Sequence, residues 1–203
     1  MTFRRFVRRA VVGAVAALAL ASATAAPSRA DPAVQGITLV SVPFLIWALF
    51  ADSPEGPQHD LFTFGVGWFD AIDKNDQAAE FRFEYRPGVF LWKFKPFLGL
   101  AGTSDSGFYA YGGLRIDAYS GRRIVVSPSF ALVGYHQGDG KDLGANGVAR
   151  SGIDISWCFD NNAQLGLAFH HMSHGRVMGD LNPGTEMISL TYSIPFDTIF
   201  TRR

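Results

Sequence analysis

At Asp60 the chain changes period. From there to Phe196, apolar residues recur at every second position, in segments separated by glycine, proline, aspartate and asparagine. That is the pattern of strands with two chemically different faces. "DLFTFGVGWFD" sets Phe62, Phe64, Val66 and Trp68 against Leu61, Thr63, Gly65 and Gly67. "EFRFEYRPG" sets Phe81, Phe83 and Tyr85 against Arg82, Glu84 and Arg86. "GFYAYGGLRIDAY" separates Phe108, Ala110, Leu114 and Ile116 from Tyr109, Tyr111, Arg115 and Asp117. "VARSGIDISWCF" places Ile153, Ile155 and Trp157 opposite Arg150, Gly152, Asp154 and Ser156. With "KFKPFLGLAGT", "RRIVVSPSFALVGY", "NAQLGLAFHHMS" and "EMISLTYSIPF" the sequence offers eight candidate strands, and no helical period of similar strength accompanies them.

Eight such strands fit either a soluble barrel or sandwich with its apolar face inside, or a membrane barrel with that face outside. Side-chain size separates the two. Turned inward, every strand would bring several aromatic rings into a lumen that an eight-stranded barrel leaves only just wide enough to fill. Turned outward, the rings meet lipid. The other faces then bring small residues, Tyr109, Tyr111 and a set of opposite charges (Arg82, Glu84, Arg86, Arg115, Asp117, Arg150, Asp154) into the interior, where they can pair. The expected fold is all-β, an eight-stranded antiparallel transmembrane barrel over 60–196 with a filled polar lumen and no pore. An even strand number puts both barrel ends on the periplasmic side and the "HGRVMGDLNPGT" connection on the cell exterior.

The flanking segments agree with export. Residues 1–30 combine four arginines near the start, an apolar run too short to span a membrane as a helix, and the small-residue end Ser28-Arg29-Ala30. This predicts a signal peptide cleaved before Asp31. Cleavage would remove five of the 18 basic residues and none of the 18 acidic ones, leaving a mature net charge of −5. No basic surface then remains to attract nucleic acid. The lone Cys158 has no partner for an internal disulfide and reads as a small buried or lipid-facing residue. Residues 31–59 form an apolar N-terminal segment broken by Pro43, whose role the sequence leaves open, and 197–203 form a C-terminal tail.

Chemistry concentrates in the last two strands. Leu165, Leu167 and Phe169 share a stripe that two-residue steps continue through His171 to Ser173. Phe196, Ile194, Tyr192, Leu190 and Ile188 share another, whose next member is Glu186. Both stripes face lipid and end in polar groups at the same end of neighbouring antiparallel strands, within cross-strand reach if the register matches. A serine hydroxyl becomes a useful nucleophile when an imidazole takes its proton and a carboxylate fixes the imidazole's tautomer. Ser173, His171 and Glu186 supply those groups. His170 has the opposite parity and belongs to the lumen, so His170, His171 and His174 do not converge on a metal, and neither a metal nor another cofactor is expected.

"HMSHG", "NPGTE" and the closing "SLTYSIPF" resemble the lipid A 3-O-deacylase (PagL-type) family of outer-membrane esterases, whose motif is H-x-S-N followed by N/D-G-x-E. The likeness extends over roughly residues 60 to 196. It implies a cofactor-free serine hydrolase in the outer membrane acting on lipid A of lipopolysaccharide near the outer leaflet, with His171 as base, Ser173 as nucleophile and Glu186 as orienting acid. His174 stands where the family has asparagine, and the loop to the glutamate is one residue longer. The oxyanion candidates are then the His174 side chain and the amides of His174 and Gly175. Two alternatives stay open: a phospholipid esterase on the same barrel, and a non-catalytic small outer-membrane barrel, which expects His171 and Glu186 to lie too far apart to interact. The sequence also leaves the oligomeric state, a homodimer included, undecided.

Overall fold

The computed structural model describes residues 59–200, without the side chains of 199 and 200; the expected signal peptide (1–30), residues 31–58 and residues 201–203 lie outside them. Nine strands form: β1 (Leu61–Phe69), β2 (Ala78–Arg86), β3 (Lys95–Thr103), β4 (Phe108–Arg115), β5 (Ala118–Ser120), β6 (Ile124–His136), β7 (Gly147–Cys158), β8 (Gln164–Ser173) and β9 (Thr185–Pro195). A short helix, α1 (Phe196–Phe200), follows. Every pairing is antiparallel. β1 pairs with both β2 and β9, and β4 pairs with β6, so eight strands close on themselves and β5 hangs on the lower end of β6. Closure leaves no unpaired edge among the eight barrel strands, the condition for crossing a bilayer with strands.

The eight expected segments are the eight barrel strands, with one break. The fourth was expected to run on through Asp117 to Tyr119; instead it stops at Arg115 and resumes as β5. Ile116 donates its amide to the Pro128 carbonyl (3.1 Å), and proline has no N–H to return the bond. The freed Asp117 carboxylate turns inward to Arg115 Nη2 (2.5 Å), Lys95 Nζ (3.1 Å) and the Ser127 hydroxyl (2.7 Å).

The faces point as side-chain size required except at Ile116, which was expected on the outer stripe and is buried at the break in the fourth strand. Phe64, Val66, Trp68, Phe81, Leu98, Leu100, Leu132, Ile155, Trp157, Leu165, Leu167 and Leu190 are all exposed on the outer wall, Leu132 to 70%. A wall of this kind is compatible with water only when lipid covers it. The inner faces bury the charges. Glu84 takes hydrogen bonds from Arg86 Nε (2.7 Å) and the Tyr111 hydroxyl (2.7 Å), Arg86 reaches Asp154 (2.5 Å), and Arg150 lies 3.4 Å from Glu84. His170 accepts from Arg82 Nη1 at Nδ1 (3.0 Å), with Nε2 3.1 Å from Asp154. A side chain at Gly152 would collide with this imidazole, so the glycine is what lets it fit.

Towards the end that carries the 70–77, 104–107, 137–146 and 174–184 connections, here the upper end, the lumen becomes apolar. Phe69, Tyr109, Tyr135, Val133, Leu143, Val148, Met172 and Met187 pack there, with the Phe69 and Tyr135 rings stacked at 6.0 Å. The filling is therefore polar below and aromatic above. The upper layer is packed and supports the loops around the site.

Candidate active site

The register between β8 and β9 places His171 directly opposite Glu186. His171 Nδ1 donates to Glu186 Oε1 at 2.9 Å, which orients the ring and leaves Nε2 without a partner among the described residues. The separation that a non-catalytic barrel would require is absent. Ser173 lies two residues beyond His171 on the same face of β8, about 6.6 Å along the strand. No hydrogen bond joins its hydroxyl to the imidazole in this structure. Across β7, His171 faces Ser151 and Ser173 faces Ala149, so small side chains leave this side of the pair open.

Glu186 departs from expectation in one respect. It has the parity of the outward stripe, but only 3% of it is exposed. The turn between β1 and β2 folds over it, with Ala71 N donating to the Glu186 carbonyl (2.9 Å). The carboxylate is thus shielded from lipid and water, while a quarter of the His171 side chain stays exposed. Gly184, at φ 69°, lies against the other side of the imidazole; a β-carbon there would come within 2.8 Å of His171 Cε1. The left-handed backbone and the close approach both require glycine.

The covering turn is organised by Asp70, which is itself in the left-handed region (φ 53°). Its Oδ2 accepts the amides of Asn75 and Asp76, each at 3.0 Å, and its Oδ1 accepts the ammonium of Lys141, which also reaches Asp73 (3.1 Å). Burial opposes ionisation of Asp70, but the Asp76 amide and Lys141 outweigh it and hold the carboxyl below the usual carboxylate range. Carboxylate oxygens of Asp70, Asp73 and Glu186 lie within 4.8 Å of one another, a set that could hold a cation. Lys141 already places one there. None of Asp70, Asp73 and Lys141 was singled out from sequence; the only local trace is the acid-rich turn "DAIDKND".

His174 takes a different part from the one expected. Its ring Nε2 donates to the Leu181 carbonyl (2.7 Å), Nδ1 lies 3.4 Å from the Met178 amide, and its own amide donates to Asn182 Oδ1 (3.0 Å). Both of its N–H groups are therefore engaged in fastening the 174–184 loop, and neither points to a developing oxyanion. Gly175 (φ 59°) keeps its amide free of partners among the described residues, with open space beside it. The loop thus fastened holds Val177, Met178 and Leu181 exposed beside the site, Val177 to 84%, with Met178 leaning over Gly147.

The family model described as lipid A 3-O-deacylase (PagL) matches residues 91–195, which takes in β3 to β9 and the whole His171–Glu186 region. The chain belongs to the PagL family. Among solved structures, the outer membrane enzyme PagL is similar at 15% identity over 67% of this chain and 99% of that one, with a TM-score of 0.54. A de novo designed transmembrane β-barrel follows at 11% identity, 68% and 98% coverage and a TM-score of 0.46, and Neisserial surface protein A at 8%, 68% and 96%, and 0.44. Comparison with curated proteins gives no match. The likeness to PagL is one of fold, and with family membership it makes this chain an outer-membrane barrel.

Proposed function

We propose that the protein is an outer-membrane serine esterase that removes the 3-O-linked acyl chain of lipid A, with the upper end of the barrel at the outer leaflet. The observation that carries the proposal is the His171 Nδ1–Glu186 Oε1 hydrogen bond beside Ser173, within the segment that matches the family. Ser173 Oγ attacks the ester carbonyl carbon while His171 Nε2 takes its proton. Charge that develops on the carbonyl oxygen is met by the Gly175 amide. As the tetrahedral intermediate collapses, the C–O bond to the sugar breaks and the imidazolium returns the proton to the leaving alkoxide. Water then attacks the acyl-serine with His171 again as base, releasing the fatty acid and restoring the hydroxyl. The chemistry uses no cofactor.

The acyl chain would lie along the apolar outer wall of β7 and β8, where Ile153, Ile155 and Trp157 stand opposite Phe169, Leu167 and Leu165 below the catalytic pair. Lipid A and phospholipid, supplied separately to the purified barrel, test the substrate class. Wild type should release fatty acid from lipid A, Ser173→Ala should release none, and phospholipid should stay intact. Equal release from phospholipid by wild type would transfer the assignment to a phospholipase.

A further inference from the structure

We propose that the cavity at the lower mouth of the barrel, at the end away from His171 and Ser173, binds a phosphate group, carried by a lipid headgroup or free in solution. The charges that line the cavity and the level at which it opens both point to that chemistry.

The lumen above the cavity is balanced in charge. Arg82, Arg86 and Arg150 lie buried among Glu80, Glu84 and Asp154. At the mouth the balance fails. Lys95, Arg115, Arg122 and Arg123 line a space of about 330 Å³ with two carboxylates, Asp117 and Asp160. Lys95 (3.1 Å) and Arg115 (2.5 Å) share Asp117, and Arg123 pairs with the exposed Asp160 at 2.8 Å. Arg122 has no ion pair among the described residues. Two positive charges are therefore in excess in a concave, low-dielectric setting, which concentrates anions. Nε and Nη1 of Arg115 are buried with no hydrogen-bond partner among the described residues, so Asp117 compensates this guanidinium only in part. A phosphate places several oxygens around one centre and can meet cations from two sides, whereas a carboxylate is matched by a single guanidinium fork.

The fold supplies those two sides. On the inner one, Lys95 and Arg115 are buried and directly opposite each other on β3 and β4, a like-charge pair that strand pairing alone disfavours. On the outer one, the break at Ile116 lets β5 and the start of β6 extend the wall as a hairpin, with Ala118 opposite Val126 and Ser120 opposite Ile124. Gly121 (φ 64°) lies in its turn, and the next two residues are Arg122 and Arg123, both exposed. "YSGRRI" thus sets two guanidinium groups on a lip over the buried pair. Trp92, Trp157, Phe159 and Phe196 are exposed at this same end. Aromatic girdles mark the headgroup level of a bilayer, so the cavity opens at the depth of lipid phosphates.

Binding to the full-length barrel in maltoside micelles tests the site, read by calorimetry and by the side-chain Nε resonances of Arg122 and Arg123. The probes are dihexanoyl phosphatidylglycerol, inorganic phosphate, and dihexanoylglycerol, which has the tails without the phosphate. Phosphatidylglycerol should bind, move both resonances and weaken as salt rises. Arg122→Gln combined with Arg123→Gln should raise its Kd about tenfold or more, with heat-modified gel mobility unchanged because both side chains are exposed. Should that pair fail to assemble, Arg122→Gln alone, which breaks no ion pair among the described residues, should raise the Kd about threefold. Inorganic phosphate binding as tightly as the lipid assigns the site to free phosphate, and binding of the lipid alone assigns it to a headgroup; both outcomes support the site. Equal affinity for dihexanoylglycerol, an unchanged Kd in the variants, or no binding of either phosphate probe overturns the proposal. Binding that appears only in Asp52→Asn combined with Glu55→Gln also overturns it, giving the cavity to acids of the chain's own preceding segment.

Discussion

At the scale of single residues, the site depends on two histidines that differ by one chemical role. His171 keeps Nε2 free because Glu186 takes the hydrogen of Nδ1, whereas His174 has both ring nitrogens turned towards its own loop. Gly184 separates them in consequence, since it borders the first and belongs to the loop fastened by the second. A methyl group at Gly184 must displace the imidazole and is strained at φ 69°. Gly184→Ala should therefore reduce kcat about 10²-fold, as misplacement of a catalytic group by about 1 Å does, with little change in barrel stability. Steady-state kinetics on lipid A beside heat-modified gel mobility checks both halves. The roles of His171, Ser173 and Glu186 were legible as a proposal because two-residue periodicity assigns faces without any knowledge of register. The work of His174 was not, because its partners Leu181, Asn182 and Met178 become neighbours only when the loop folds back on itself.

At the scale of elements, the β1–β2 turn does more than join two strands. It buries Glu186, and Asp70 fastens it through the amides of Asn75 and Asp76 and the Lys141 ammonium. Because the folded carboxyl is held below its unfolded value of about 3.9, its contribution to stability is fully present above that pH and is lost as pH falls through the folded value. Hydrogen exchange should show the Asn75 and Asp76 amides protected at pH 5 and opening only below about pH 4. In Asp70→Asn, protection of the same amides should be weaker and flat across that window; equal pH dependence in both proteins would remove Asp70 from the role. Sequence patterning exposed the strands on either side but treated the turn as punctuation. Its acid-rich composition is ordinary for a turn, and its importance comes from Lys141, 71 residues away in sequence. The break between β4 and β5 was more accessible, since Pro128 announces the missing N–H; what the sequence lacks is the register that sets it opposite Ile116.

At the scale of the whole molecule, an apolar wall and a packed interior divide the labour. The wall makes lipid the solvent of the barrel and, on the proposed function, the source of its substrate, and the interior supplies a base for the upper loops. Alternation alone predicted this division, because aromatic rings too large for the lumen leave only one way round for every strand. It did not foresee that the upper lumen is closed by Phe69, Tyr109, Tyr135 and two methionines instead of by charge. The lower lumen depends on Glu84, which faces Arg82, Arg86 and Arg150. Glu84→Ala leaves those cations without their shared partner and should cost about 3–5 kcal/mol, measured as a lower urea midpoint for unfolding from vesicles.

The central claim is that Glu186, His171 and Ser173 together cut an acyl ester of lipid A from the outer face of this barrel. Mass spectrometry of lipid A extracted from cells producing the protein tests it most directly. Wild type should yield lipid A lighter by one 3-O-linked acyl chain, with Ser173→Ala yielding the unmodified species at equal expression. Lipid A of identical mass in both, with the barrel correctly assembled, would contradict the account.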